Sequence, residues 1–257
     1  MVLYYKRPSF PLYYSDEIMS TTQDSTSSSV DPRFKIQAIP HPPHLLPRHI
    51  ERYREIRLLS LKVDPQAFGS TFERESQFSD EVWRERAAVK GKVTFYAYHD
   101  FGLVASGLSP AEEGEWIGTA TILYPEFILP ENRPTLPSRL TAEGTSHEDV
   151  YLLVGMWVRP RWRRRGVGKA LVEEALKHVG ARNPHDDGSE GKSATTRKVT
   201  VLDVHKVNEA ACGLYETIGF WRNDCGGGEA DEVGEGGERA ADRTTYPGTI
   251  QMYYVHE

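Results

Sequence analysis

Val158-Arg-Pro-Arg-Trp-Arg-Arg-Arg-Gly166-Val-Gly168-Lys-Ala-Leu171 is the stretch that decides the fold. Ahead of it, Tyr151 to Val158 is a nearly unbroken apolar run of strand length, which predicts a central strand buried on both faces. Gly155 interrupts the run and marks a bulge or the close approach of another chain. Behind it, Leu171, Val172, Ala175, Leu176 and Val179 recur at helical spacing, predicting an amphipathic helix that Gly180 ends. A strand that enters a helix through a glycine-bearing turn presents N–H groups with no partner inside the helix. They lie at the positive end of the helix dipole, and glycines let a ligand come close. Phosphate or pyrophosphate is the natural occupant. A dinucleotide fingerprint would need glycine at position 171, where Leu171 stands. A Walker loop would need glycine at 163 and Ser or Thr at 170, where Arg163 and Ala170 stand. What fits is R-x-x-G-x-G, read as Arg163, Gly166 and Gly168.

Outward from this stretch, the pattern is mixed. Residues 1–33 read as a disordered Ser/Thr-rich tail. Phe34 to Ile39 is a short strand, followed by a helix from about Arg48 that Asp64-Pro65 stops. Ser79 can cap a second helix carrying Val82, Trp83 and Ala87, with Asp80 and Glu81 suited to its first turn. Val93–Tyr98, Phe101–Ala105 and Trp116–Leu123 have strand composition. The segment 125–149 holds four prolines and reads as an irregular excursion. After a polar insert at 181–197 come the strand Val199–Val204, a helix bearing Ala210, Ala211, Leu214, Tyr215 and Ile218 that Gly219 closes, an acidic glycine-rich loop at 223–245, and a last strand, Thr249–Val255. Residues 34–257 are therefore expected to form one α+β domain with polar insertions, two strand–helix units at its heart.

The composition bounds the function. The chain has 257 residues, 39% hydrophobic and 26% charged, enough to bury a core. No apolar run approaches the roughly 20 residues of a membrane-spanning helix, so no membrane partner is expected. The first twenty residues lack a secretory apolar core, and Asp16 and Glu17 argue against an organelle-targeting peptide. Two cysteines, Cys212 and Cys225, make neither a disulfide framework nor a four-ligand zinc site, so the expected compartment is cytoplasmic, with the nucleus left open. The net charge of −6 is local: residues 223–245 hold seven acids against two arginines. Against that, Arg159 to Lys169 carries six basic residues and no acid, a stripe that something anionic visits.

R-x-x-G-x-G gains weight from its company: Met156-Trp157-Val158-x-Pro160 upstream, and Asn208-x-x-Ala211-x-x-x-Tyr215-x-x-x-Gly219-Phe220 downstream. With these segments the chain resembles the GNAT acetyltransferase superfamily, and its Leu58 to Arg86 is similar to the N-terminal half of members acting on small amines. The resemblance implies an acyl-CoA N-acyltransferase fold: a three-layer α+β arrangement whose mixed, twisted central sheet, flanked by helices, has splayed central strands. It implies acetyl-CoA as co-substrate and no metal. Pantetheine would bond the strand at Met156, Trp157 and Val158. The pyrophosphate would sit on the backbone of Arg164, Arg165, Gly166, Val167, Gly168 and Lys169, behind Arg163. Asn208 would bond the pantetheine, and Tyr215 would give a proton to the leaving thiolate.

Each assignment has a plainer rival. The arginine stripe has rival readings as a nuclear-localisation or nucleic-acid patch or as plain solvated surface, and the glycines at 166 and 168 turn the balance to phosphate. Tyr215 lies on its helix's apolar stripe and packs a core; Asn208 caps that helix. His205 and Asp203 are base candidates against a reading as strand-end polar residues, and Glu73 and Glu75, where the N-terminal helices would border the acceptor pocket, read rather as surface charge. His41 and His44 lack companions at ligand spacing, and Cys212 reads as packing. The acceptor is expected to be the primary amine of a small molecule, with a protein N-terminus or lysine as the alternative. A non-catalytic acyl-CoA-binding module is the rival from another class, and a homodimer stays open.

Overall fold

The computed structural model describes residues 34–99, 114–140, 148–182, 197–222 and 248–256. The tail 1–33, the strand expected at Phe101–Ala105, residues 183–196 of the polar insert and the acidic loop 223–245 with Cys225 lie outside them.

Among the described residues, seven strands form one mixed sheet in the order β1-β2-β3-β4-β5-β7-β6. They are β1 Phe34–Ala38, β2 Lys92–His99, β3 Trp116–Leu123, β4 Asp149–Val158, β5 Lys198–His205, β6 Trp221–Arg222 and β7 Thr249–Val255. Only β4 and β5 run parallel; the other neighbours are antiparallel. Helices α1 Pro47–Val63, α2 Phe72–Glu75 and α3 Asp80–Ala88 cover one face. On the other lie α4 Val167–Ala181 and α5 Glu209–Ile218. Strand alternation separates the two cores cleanly. Along β2, Val93, Phe95 and Ala97 pack with Leu171, Val172, Ala175 and Val179 of α4. Between them, Tyr96 and Tyr98 turn to Tyr53, Ile56, Trp83 and Trp116 on the α1–α3 side.

The caps explain the helix limits. Ser79 Oγ accepts from Val82 N–H, as its position before α3 requires. Asn208 caps α5 through its bond from Ala211 N–H at 3.1 Å, and Gly219 closes that helix with φ +111°. Gly180 does not end α4. The helix continues to Ala181, because Lys198 Nζ from β5 donates to the last-turn carbonyls of Val179 and Gly180 and to Arg182. The segment 125–140 differs from a plain polar excursion. It contains two 3-10 turns and buries Ile128 and Leu140, the latter packed with Val150, Val199 and Val201. The two-residue β6 and the four-residue α2 leave too little periodicity to be read in advance.

Among the described residues, no helix is long and apolar enough to cross a membrane.

Candidate active site

β4 and β5 are in register from Asp149 opposite Lys198 to Leu152 opposite Val201. There the pairing stops, yet β4 runs on to Val158 and β5 to His205. The two central strands splay, and the half of β4 beyond Leu152 loses a neighbour on one edge. This corrects the expectation of a strand buried on both faces: Val154 is 38% exposed, and Gly155 and Met156 are half-buried. At the same place the β3–β4 register slips between Thr119 and Thr121. Gly155 sits at φ +63°, where a β-carbon would be strained, and its carbonyl accepts from Thr119 Oγ1 at 3.2 Å. Beyond the bulge, Arg159 N–H bonds Ile117 O. Alternation therefore turns the Val158 N–H to the edge that β5 has left.

The chain then makes the turn into α4. Arg164 (φ +62°) and Gly166 (φ +81°) both take left-handed backbone. The first helical bond runs from Ala170 N–H to Gly166 O, which leaves the N–H groups of Val167, Gly168 and Lys169 without helical partners. Gly168 is closely packed. A β-carbon there would come within 2.9 Å of Met156 Cε and 3.3 Å of Leu214 Cδ2, so the first turn of α4 rests against β4 and α5 together. Val167 is buried beneath it.

The arginines divide into two groups. Arg159 bonds Trp116 O through Nε and pairs with Glu55 at 3.3 Å and Glu115 at 3.1 Å; Arg161 also pairs with Glu115. Arg163 donates to Val158 O at 3.0 Å through Nε and pairs with Asp64 through Nη2. Half of the six-residue basic stripe is thus matched by acids from distant segments, and a naked polycation for nucleic acid is not what the fold presents. Arg164, Arg165 and Lys169 lie around the start of α4; Lys169 lies 3.7 Å from Glu173, and the Arg165 guanidinium lies 5.6 Å from the centre of the Trp162 ring.

Tyr215 is 6% exposed and packs edge-on against Phe220. Burial, with a small contribution from Cys212, pushes its phenol above the ordinary tyrosine value, so it stays protonated through neutral pH. Cys212 is buried, and that burial pushes its thiol up as well, which fits packing and not a nucleophile. Asn208 lies exposed one turn before Cys212. His205 is half-buried at the end of β5 and Asp203 exposed along it.

Glu75 overturns its reading as surface charge, whereas Glu73 is exposed as read. The Glu75 carboxylate is fully buried and gripped at both oxygens by Arg57, at 2.7 and 2.9 Å, with Arg86 at 3.6 Å. Burial raises its pKa, but the hydrogen bonds and charges of Arg57, with Arg86 and Ser70, outweigh that and hold it below the ordinary value. Tyr53 lies in the same layer. Burial raises its pKa, yet the positive charges of Lys92, Arg86 and Arg57 bring it down to about 8. His41 and His44 lie exposed in a turn closed by His44 N–H to His41 O.

Comparison with known proteins bears on the same elements. The family model described as "Acetyltransferase (GNAT) domain" matches residues 138–222, which span β4, the arginine-glycine turn, α4, β5 and α5. No curated protein sequence is a significant match. Among solved structures, Arabidopsis thaliana NAA60 in complex with a bisubstrate analogue superposes with a TM-score of 0.51 at 15% identity, covering 87% of this chain and 100% of that one. The same plant protein in complex with acetyl-CoA gives 0.49 at 15% identity, covering 86% and 98%. A GNAT-family acetyltransferase from Streptococcus pneumoniae gives 0.47 at 16% identity, covering 86% and 99%. The first of these likenesses is one of fold.

Proposed function

We propose, from the match of residues 138–222 to the GNAT acetyltransferase domain model, that the chain is an acyltransferase that transfers the acetyl group of acetyl-CoA directly to a primary amine within a ternary complex. The observation that carries the reading is the splay of β4 from β5 opening onto three unpartnered helix amides. Pyrophosphate rests on the N–H groups of Val167, Gly168 and Lys169 and on the backbone of Arg164, Arg165 and Gly166, with Arg164, Arg165 and Lys169 adding positive potential. Arg163 holds the turn in shape through Val158 O and Asp64. Pantetheine lies in the gap as an added strand against Met156, Trp157 and Val158, with the Asn208 side chain at its flank.

The amine attacks the thioester carbonyl, and the oxyanion that forms needs a fixed donor; Val158 N–H is turned to that edge, whereas Trp157 N–H, by alternation, faces β3. The C–S bond then breaks, the departing thiolate takes a proton from Tyr215, and the proton shed by the attacking nitrogen restores the phenol; burial keeps that phenol protonated at neutral pH while making it a weaker acid. Much of the acceleration comes from holding two substrates in line. The acceptor is a small-molecule amine. Incubation with acetyl-CoA and a panel of polyamines, amino sugars, lysine peptides and free N-terminal peptides, read by thiol release, tests this. Release with polyamines or amino sugars supports it, and release with peptides alone moves the acceptor to proteins. Acetyl-CoA binding without release from any amine makes the chain a binding module.

A further inference from the structure

Resting on that reading of the cofactor site, we propose that Asp64 is a positioning residue of the reaction, its carboxylate clasping the tip of β4 and the arginine-glycine turn to the end of α1. One oxygen, Asp64 Oδ2, accepts from Trp157 Nε1 at 2.6 Å and from Arg163 Nη2. Arg163 uses its Nε in the same moment to hold Val158 O at 3.0 Å. Asp64 itself is the residue that closes α1, its backbone N–H bonded to Ser60 O. The end of α1 therefore meets, on one oxygen, the tip of β4 and the first residue of the turn, 93 and 99 residues further along the chain.

The chemistry gives this junction weight. Trp157 is 4% exposed and its indole N–H needs an acceptor, while a carboxylate shared between this buried indole and a partly exposed guanidinium makes charge-assisted bonds to both. The peptide whose carbonyl Arg163 holds is that of Val158, the residue whose N–H is aimed at the gap. With Asp64 discharged, the Arg163 fork loses its anchor and the strand tip and helix start are free to shift relative to each other. A displacement of about 1 Å at a binding constellation is enough to cost one to two powers of ten. Asp64 touches neither the helix amides nor the gap; its action runs through Arg163 and Trp157.

The test is calorimetric titration of coenzyme A into the full-length wild type, Asp64→Asn, Arg163→Gln and the double variant. Asp64→Asn keeps an oxygen for the indole and removes the charge facing Arg163. Expected is an unchanged stoichiometry with Kd raised about tenfold in each single variant, and no further rise in the double variant, because both remove one interaction. A purely structural Asp64 would lower the stoichiometry and leave the Kd of the remaining folded protein as in wild type, which overturns the proposal. Tighter binding in Asp64→Asn also overturns it, since Arg163 would then be a phosphate ligand that Asp64 restrains. If Asp64→Asn fails to fold, Arg163→Gln decides, because it breaks the same pair and leaves the end of α1 intact. A wild type that binds no coenzyme A sinks the cofactor site itself; a wild type that binds, beside variants that bind equally well, sinks the clasp alone.

Discussion

Replacing Gly168 by Asp separates the folding role of this position from its ligand role. The added β-carbon meets Met156 Cε at 2.9 Å, Leu214 Cδ2 at 3.3 Å and Val158 Cγ2 at 3.7 Å. All three are side-chain ends, and the nearest is the flexible terminus of a methionine, which can yield. Leaving glycine in the first turn of a helix gains a few tenths of a kcal/mol in propensity, and a carboxylate there gains about 0.3–1 kcal/mol from the dipole. These terms offset the crowding, so the melting temperature should move by no more than about 4 °C. Binding behaves otherwise. A carboxylate about 4 Å from one phosphate charge is repelled by about 4 kcal/mol at an effective dielectric near 20. Solvent screening at a half-exposed turn trims this to a loss of about 10²- to 10³-fold in affinity for coenzyme A. Gly168→Ala brings the same β-carbon without charge and should stay within about tenfold of wild type. Calorimetric titration beside a thermal melt reads both quantities. Equal affinity in Gly168→Asp and Gly168→Ala, with both proteins folded, would refute the placement of an anion at the start of α4.

Tyr215→Phe should reduce turnover at least tenfold while leaving coenzyme A affinity within about twofold, as loss of a general acid does; unchanged turnover returns Tyr215 to core packing. Glu75→Gln leaves Arg57 and Arg86 facing a neutral group and should cost about 3–5 kcal/mol by urea unfolding. Because the folded pKa of Glu75 lies below its ordinary value, its contribution is present above about pH 4.5 and is lost as pH falls through the folded value. A wild type and Glu75→Gln that differ equally at pH 7 and pH 2.5 would contradict this. Tyr53 should ionise near pH 8, seen as a phenolate absorbance step at about 295 nm that Tyr53→Phe removes. Since that pKa is depressed, deprotonation stabilises the fold increasingly from about pH 8 towards pH 10; a first tyrosine midpoint near 10 would show that the three cations do not act on it.

The elements legible from sequence are those whose signal is local. Trp116–Leu123 has strand composition, Ser79 and Asn208 stand where caps must stand, and Gly155 interrupts an apolar run at the residue where the register slips. The R-x-x-G-x-G turn is legible because left-handed backbone at Gly166 favours glycine and Gly168 sits close against Met156 and Leu214. What was hidden depends on partners far along the chain. Nothing near Glu75 announces that Arg57, about two turns of helix before Asp64, will neutralise it in the interior. Nothing near Arg163 announces Asp64. The end of α4 depends likewise on Lys198 of the neighbouring strand, so Gly180 alone misplaces it. The exposure of Val154 arises from strand divergence, which an apolar run cannot encode.

The central claim is that backbone amides at the start of α4 hold the diphosphate of coenzyme A. Amide chemical shifts of ¹⁵N-labelled protein, followed as coenzyme A is added, report on those groups individually. The account predicts downfield amide-proton shifts at Val167, Gly168 and Lys169, saturating together, with residues 198–201, where β4 and β5 remain paired, little changed. Saturable binding that leaves those three amides unmoved would contradict it.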